Sequence, residues 1–193
     1  MRSLQHKKEL ILEAEEAFTR TIGQALFEKP KVSLWMILMP ILLLHFIHRM
    51  QQFKMGIGRF KDEYMVTRRS ALDLAVEAVA GGIEPRIEAQ VQKTGLAPSL
   101  IPPYRAWMET LVKHYTTLLT ADGDSFEALV RDAFADRAAF LQAVEGLSGA
   151  EKAFHAALQP RMAETTDTAE IVATIESKSL RLRRESAEAI FPH

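Results

Sequence analysis

Histidines and carboxylates at helical spacing are the first candidates for chemistry in this chain, which contains no cysteine. Disulfides, thiol catalysis, zinc knuckles and cysteine-held iron–sulfur clusters are thereby excluded. His45 and His48 stand three residues apart, which places both imidazoles on one helix face, where they could hold a metal ion or face a haem. No third ligand follows at helical spacing, since Met50 and Gln51 are poor substitutes, and the plainer reading is two amphipathic rings at the level of lipid headgroups. Glu151 and His155 stand four apart. A di-iron bundle would need two Glu-x-x-His motifs and two further glutamates, and Glu-x-x-His does not occur here, so the pair reads as exposed helical neighbours. His114 reads as a polar neighbour of the core aromatic Tyr115. G-x-S-x-G, Walker-type loops, G-x-G-x-x-G and H-E-x-x-H are absent, and "MGIGRF" at 55–60 continues a helical register rather than cradling phosphate. The expectation is a non-enzymatic protein with no catalytic residue, no metal site and no cofactor.

The elements that would position these groups are helical, and no stretch shows strand alternation. Leu4, Ile11, Ala14, Phe18, Ile22 and Ala25 form one face of a helix over 4–27, with Lys7, Glu13, Glu15, Glu16 and Arg20 off it. Lys29-Pro30 ends that helix, because the residue before proline is pushed out of the α region. A second seam runs Phe46, Met50, Phe53, Ile57, Phe60, Tyr64, Thr67, Ala71, Leu74 and Ala78, alternating steps of four and three. It predicts one helix from about Ile41 to Ala80, closed by Gly81-Gly82. Shorter helices follow. Pro85 opens one that Gly95 ends, "LAPSLIPP" at 96–103 reads as an extended linker, and residues 104–119 put Tyr104, Trp107, Met108, Leu111, Val112, Tyr115, Leu118 and Leu119 on one face. Asp124…Glu127, Ser148…Glu151 and Asp167…Glu170 look like capping boxes, each opening a helix, and the last helix runs to about Ile190.

Between the first two helices lies a window, 32–47, whose only polar side chains are Ser33 and His45. With no polar face it must be surrounded by protein or lipid, since leaving it in water would cost on the order of 20–35 kcal/mol. Sixteen helical residues rise only about 24 Å, short of the roughly 30 Å hydrocarbon core. Pro40 divides the run into halves that each fit one leaflet. The expected membrane-inserting residues are Leu34, Trp35, Met36, Ile37, Leu38, Pro40, Leu42, Leu43, Phe46 and Ile47. Basic residues bracket them, which predicts that both ends stay on the cytoplasmic face. A re-entrant tip would set helix 4–27 antiparallel to helix 48–80, seam against seam. A short span, or a buried helix in a soluble assembly, are the alternatives.

Charge sharpens this picture. Residues 48–69 carry six basic and two acidic side chains, whereas 70–193 carry twelve basic and eighteen acidic. Lys29, Lys31, Arg49, Lys54, Arg59 and Lys61 are the expected headgroup contacts, each worth roughly 1 kcal/mol near an anionic surface. Basic residues interleaved with Phe53 and Phe60 could also meet nucleic acid, but Asp62, Glu63 and a pI near 6.6 oppose that. The 31-residue leader is rich in acid as well as base and no small-x-small site follows the apolar run, so the sequence does not read as a cleaved signal peptide.

Lys29-Pro30, Trp35-Met36, Pro40 and Gln52-Phe53-Lys54 resemble an uncharacterised bacterial family of small proteins. That family pairs a proline-split apolar segment with a basic, aromatic-rich helix. The resemblance covers about a third of the chain and implies no activity.

The expected architecture is all-α. Residues 1–82 form a long helical hairpin with its apolar tip at 32–47, and 83–193 form an acidic helical bundle. The expected function is a membrane-attached scaffold or adaptor whose bulk lies on the cytoplasmic side. Its partners would be anionic lipid and either another protein or a second copy of the chain, with no role for nucleic acid. An accessory subunit of a membrane complex is one alternative. A soluble cofactor-binding bundle, with Tyr104, Trp107, Met108, His114 and Tyr115 around a pocket, is another.

Overall fold

The computed structural model describes residues 3–26, 61–62, 64–158 and 166–192. The apolar window, residues 55–60 and every expected headgroup contact except Lys61 lie outside those residues. The fold is all-helical, with no strand among the described residues. None of their helices is long and apolar enough to cross a membrane. The helices are α1 (Leu4–Leu26), α2 (64–81), α3 (Ile87–Lys93), α4 (Ile101–Thr120), α5 (Phe126–Ala133), α6 (Arg137–Leu158) and α7 (Thr166–Ile190).

Short polar side chains start several helices by accepting the amide protons that a first turn leaves free. Ser3 Oγ accepts from the His6 amide at 3.2 Å, Ser125 Oγ from Ala128 at 3.2 Å, and Asp136 Oδ1 from Ala139 at 2.8 Å. The α5 cap is therefore Ser125, one residue beyond the expected Asp124. Ser148 is not a cap at all. It sits inside α6, and its hydroxyl bonds back to the Val144 carbonyl at 3.0 Å. Asp167 lies inside α7, which is described from Thr166. The expected linker at 96–103 is mostly helical: a 3-10 turn spans Pro98–Leu100 and α4 begins at Ile101. Pro102 and Pro103 fit because a first turn needs no amide donors. At the end of α2, Gly82 takes φ 59°, a left-handed value that favours glycine.

The core is centred on α4, and all eight of its predicted apolar-face residues are buried. α4 packs against α1, α3, α5 and α6, while α7 packs against α1 and α6. Trp107 stacks on Phe154 of α6 at 5.4 Å between centroids, with Tyr104 edge-on to the indole. One hydrophobic cluster joins Ile11 of α1 and Ala71, Leu72 and Ala75 of α2 to residues of α4 through α7, so the core continues across the division expected at residue 82.

Contacts between α1 and α2 occur in reverse order along the two helices. Lys8 pairs with Asp73 at 2.7 Å, Glu15 with Arg68 at 3.1 Å, and Thr19 Oγ1 meets Met65 Sδ at 3.3 Å. Next to Glu15, Glu16 binds Lys61 at 3.0 Å and Arg69 at 2.8 Å. The two helices are therefore antiparallel where they touch.

Two residues expected on the outer face of α1 point inward. Lys7 is 5% exposed. Its ammonium donates to the Leu119 carbonyl at 3.3 Å and to that of Ala121, and pairs with Asp122 at 3.4 Å. A cation there satisfies carbonyls that the end of α4 leaves open. Glu15 is the second, and it leads to the centre of the molecule.

Candidate functional site

Five helices converge on Arg68, which is 1% exposed. Its Nη1 donates to Glu15 Oε2 of α1 at 3.1 Å. Its Nη2 reaches both oxygens of Glu151 on α6, at 3.2 and 3.1 Å, and Tyr64 Oη one turn earlier on α2 at 3.1 Å. From α4, Tyr115 Oη donates to Glu15 Oε1 at 2.8 Å. From α7, Arg183 lies 3.7 Å from Glu151 and donates to the Val144 carbonyl at 3.2 Å and to Ser148 Oγ. Phe18 packs against both guanidinium groups, 5.8 Å from Arg68 and 5.2 Å from Arg183, and the Tyr64 ring lies 4.8 Å from Arg68. Planar guanidinium groups suit this setting, because they combine fork-like donors with faces that stack on rings.

The cluster contains two arginines and two glutamates, so its formal charges cancel. Burial alone would push Glu151 towards protonation, but Arg68 and Arg183 hold its carboxyl below the usual range. Burial works against the Arg68 charge as well, yet Tyr64, Glu15 and Glu151 raise its pKa well above the ordinary value. Burial pushes the Tyr64 and Tyr115 hydroxyls up, so both remain protonated donors. Outside this centre, Arg69 and then Lys61 hold the Glu16 carboxyl low.

Beside the cluster lies a cavity of about 320 Å³. Phe18, Phe126, Phe140, Val144, Leu147 and Leu182 supply its apolar wall, and Glu15, Arg183 and His114 meet them. Ala17, Thr21 and Glu127, which are exposed, mark the mouth. The His114 ring stacks on Phe134 at 6.0 Å, and its Nδ1 is buried with no hydrogen-bond partner. Burial lowers its pKa to about 4, so the ring is neutral near pH 7.

The residues singled out from sequence fare unequally. Glu151 and His155 were expected to be exposed, but Glu151 is 5% exposed because two arginines draw it inward. His155 packs edge-on to Trp107 at 6.3 Å. It lines a second groove, of about 360 Å³, with Glu151 and Ser179. Of the residues expected around a pocket, Tyr104, Trp107, Met108 and Tyr115 are core residues, and only His114 borders the cavity beside the cluster. Lys61 is held by Glu16, and Arg68, counted with the basic collar in the sequence, faces the interior. His45 and His48 lie outside the described residues. Among the described residues, no three His, Asp or Glu side chains are grouped to hold a metal ion.

Arg68, Glu15 and Arg183 escaped the sequence reading. Arg68 directly follows Thr67 in the α2 seam and stands four residues after Tyr64, and that placement beside an apolar seam was its one local signal. Comparison with protein-family models, with curated proteins and with solved structures finds no match to this chain.

Proposed function

We propose that this protein is a non-enzymatic, membrane-attached helical scaffold, held by the apolar segment 32–47 and its basic flanks, with the acidic bundle presented to protein partners. The observation that supports the reading most is the reverse order of the α1–α2 contacts, from Lys8–Asp73 through Glu15–Arg68 to Thr19–Met65. An antiparallel pair turns the C-terminal end of α1 and the N-terminal end of α2 towards the same end of the molecule. The segment joining them contains the apolar window, and a re-entrant hairpin tip requires the two helix ends that flank it to lie at one end of the bundle. A single span would separate those ends by the hydrocarbon thickness of roughly 30 Å. The central ion cluster suits a scaffold, because satisfying two buried arginines needs α1, α2, α4, α6 and α7 in one arrangement.

Deletion of 34–47 tests the reading. The shortened chain should leave the membrane fraction and remain in the supernatant. Continued pelleting that resists alkaline carbonate would place the attachment elsewhere in the chain.

A further inference from the structure

The cavity beside the ion cluster gives the bundle a capacity that scaffolding does not need. It opens to solvent past Ala17, Thr21 and Glu127, and its phenyl and aliphatic wall is apolar surface that a bound molecule would shield from water. At about 320 Å³ it falls within the range of small-molecule sites, which favour positions between the helices of bundles.

The lining indicates the chemistry of the occupant. Three phenyl rings, from Phe18, Phe126 and Phe140, favour a flat apolar body. Glu15 and Arg183 border the cavity, but each is already committed, Glu15 to Arg68 and Tyr115, and Arg183 to Glu151, Val144 and Ser148. Because the cluster is electrically balanced, a charged ligand would be desolvated without gaining a free counter-ion there. Glu127 at the mouth further disfavours an anion. His114 differs from the other polar lining groups, since its Nδ1 is buried and unpartnered. A neutral imidazole can accept a hydrogen bond from a hydroxyl.

We propose that this cavity binds a neutral, flat, largely apolar small molecule whose hydroxyl group donates a hydrogen bond to His114. The site needs only the folded bundle and does not depend on membrane attachment.

Equilibrium dialysis of the full chain in lipid nanodiscs, with empty nanodiscs subtracted, tests this with 2-naphthol, naphthalene and 2-naphthoate as probes. Saturable binding of 2-naphthol is expected, weaker binding of naphthalene, and weakest binding of the carboxylate. His114→Phe should cut 2-naphthol affinity about tenfold while leaving naphthalene nearly unchanged, the size expected for one lost hydrogen bond. Ala14→Leu and Ser186→Leu each place bulk in the lining and should weaken both neutral probes. Far-UV circular dichroism identifies which variants remain folded, and a single folded filling variant is sufficient. Any of three results overturns the proposal: no saturable 2-naphthol binding up to about 1 mM, tighter binding of 2-naphthoate than of 2-naphthol, or an unchanged naphthol-to-naphthalene ratio in His114→Phe. Unweakened binding in a folded filling variant would do the same.

Discussion

Replacing Arg68 with methionine keeps an unbranched apolar stem but removes the guanidinium and its charge, leaving Glu15 and Glu151 without their shared cation. Breaking a buried ion pair from one side costs about 3–5 kcal/mol. Two compensations place this case at the lower end. Glu151 retains Arg183 at 3.7 Å, and Glu15 retains the Tyr115 hydroxyl at 2.8 Å. The expected loss is therefore about 3 kcal/mol, or more than a hundredfold in the folding equilibrium. Urea titration followed by far-UV circular dichroism, in one fixed mild detergent, measures it. The pH dependence should reverse as well. In the parent chain the Glu151 pKa is depressed, so its contribution is present above the unfolded-state pKa and is lost as pH falls through the lower folded-state pKa. Without Arg68 the Glu151 carboxylate loses the main group that holds its pKa down, so it should titrate above its unfolded value. The variant's deficit should then shrink as pH falls from about 7 to about 5. Adding Glu15→Gln and Glu151→Gln should recover part of the loss, because no buried charge then lacks its partner. A deficit under about 1 kcal/mol with an unchanged pH profile would refute the idea that these charges depend on one another.

Other perturbations probe separate parts of the molecule. The folded-state pKa of His114 is about 4, so the unfolded chain takes up its proton first as pH falls below about 6.5, and stability should decline between those values by up to about 3 kcal/mol. His114→Phe should flatten that slope in the same titrations. Gly123→Ala should destabilise by about 1–3 kcal/mol, because the added Cβ would lie 2.6 Å from the Leu129 amide nitrogen, which cannot swing aside as a side chain could. Gln at Arg49, Lys54 and Arg59, leaving Lys61 with Glu16, should weaken binding to anionic vesicles by on the order of 100-fold at low salt and affect neutral vesicles little. Co-sedimentation on the two vesicle types measures the difference, and equal losses on both would remove the electrostatic role.

The helical class and most helix boundaries were legible in the sequence because their signals are local and repeated. α4 is the clearest case: eight apolar residues recur at helical spacing, and all eight are buried. The ion cluster was not legible, because periodicity assigns charges to the outside and a buried charge is justified only by partners remote in sequence. Arg68 is 53 residues from Glu15 and 83 from Glu151. Lys7 follows the same logic, since it serves carbonyls 112 and 114 residues away. Ser148 misled for a different reason. Serine followed three residues later by glutamate matches a capping box, but here the hydroxyl bonds to the Val144 carbonyl and Arg183, while Glu151 turns to Arg68 and Arg183. "LAPSLIPP" misled because proline excludes the helix interior but not its first turn.

The most direct test of the scaffold account combines alkaline carbonate extraction with protease accessibility of tags at residue 1 and at the C-terminus. The account predicts that the full chain resists carbonate, that both tags are cleaved from the same side, and that Pro40→Leu moves the residue 1 tag towards the opposite side by restoring a continuous apolar helix. Release of the full chain by carbonate, or parent-chain tags cleaved from opposite sides, would contradict it.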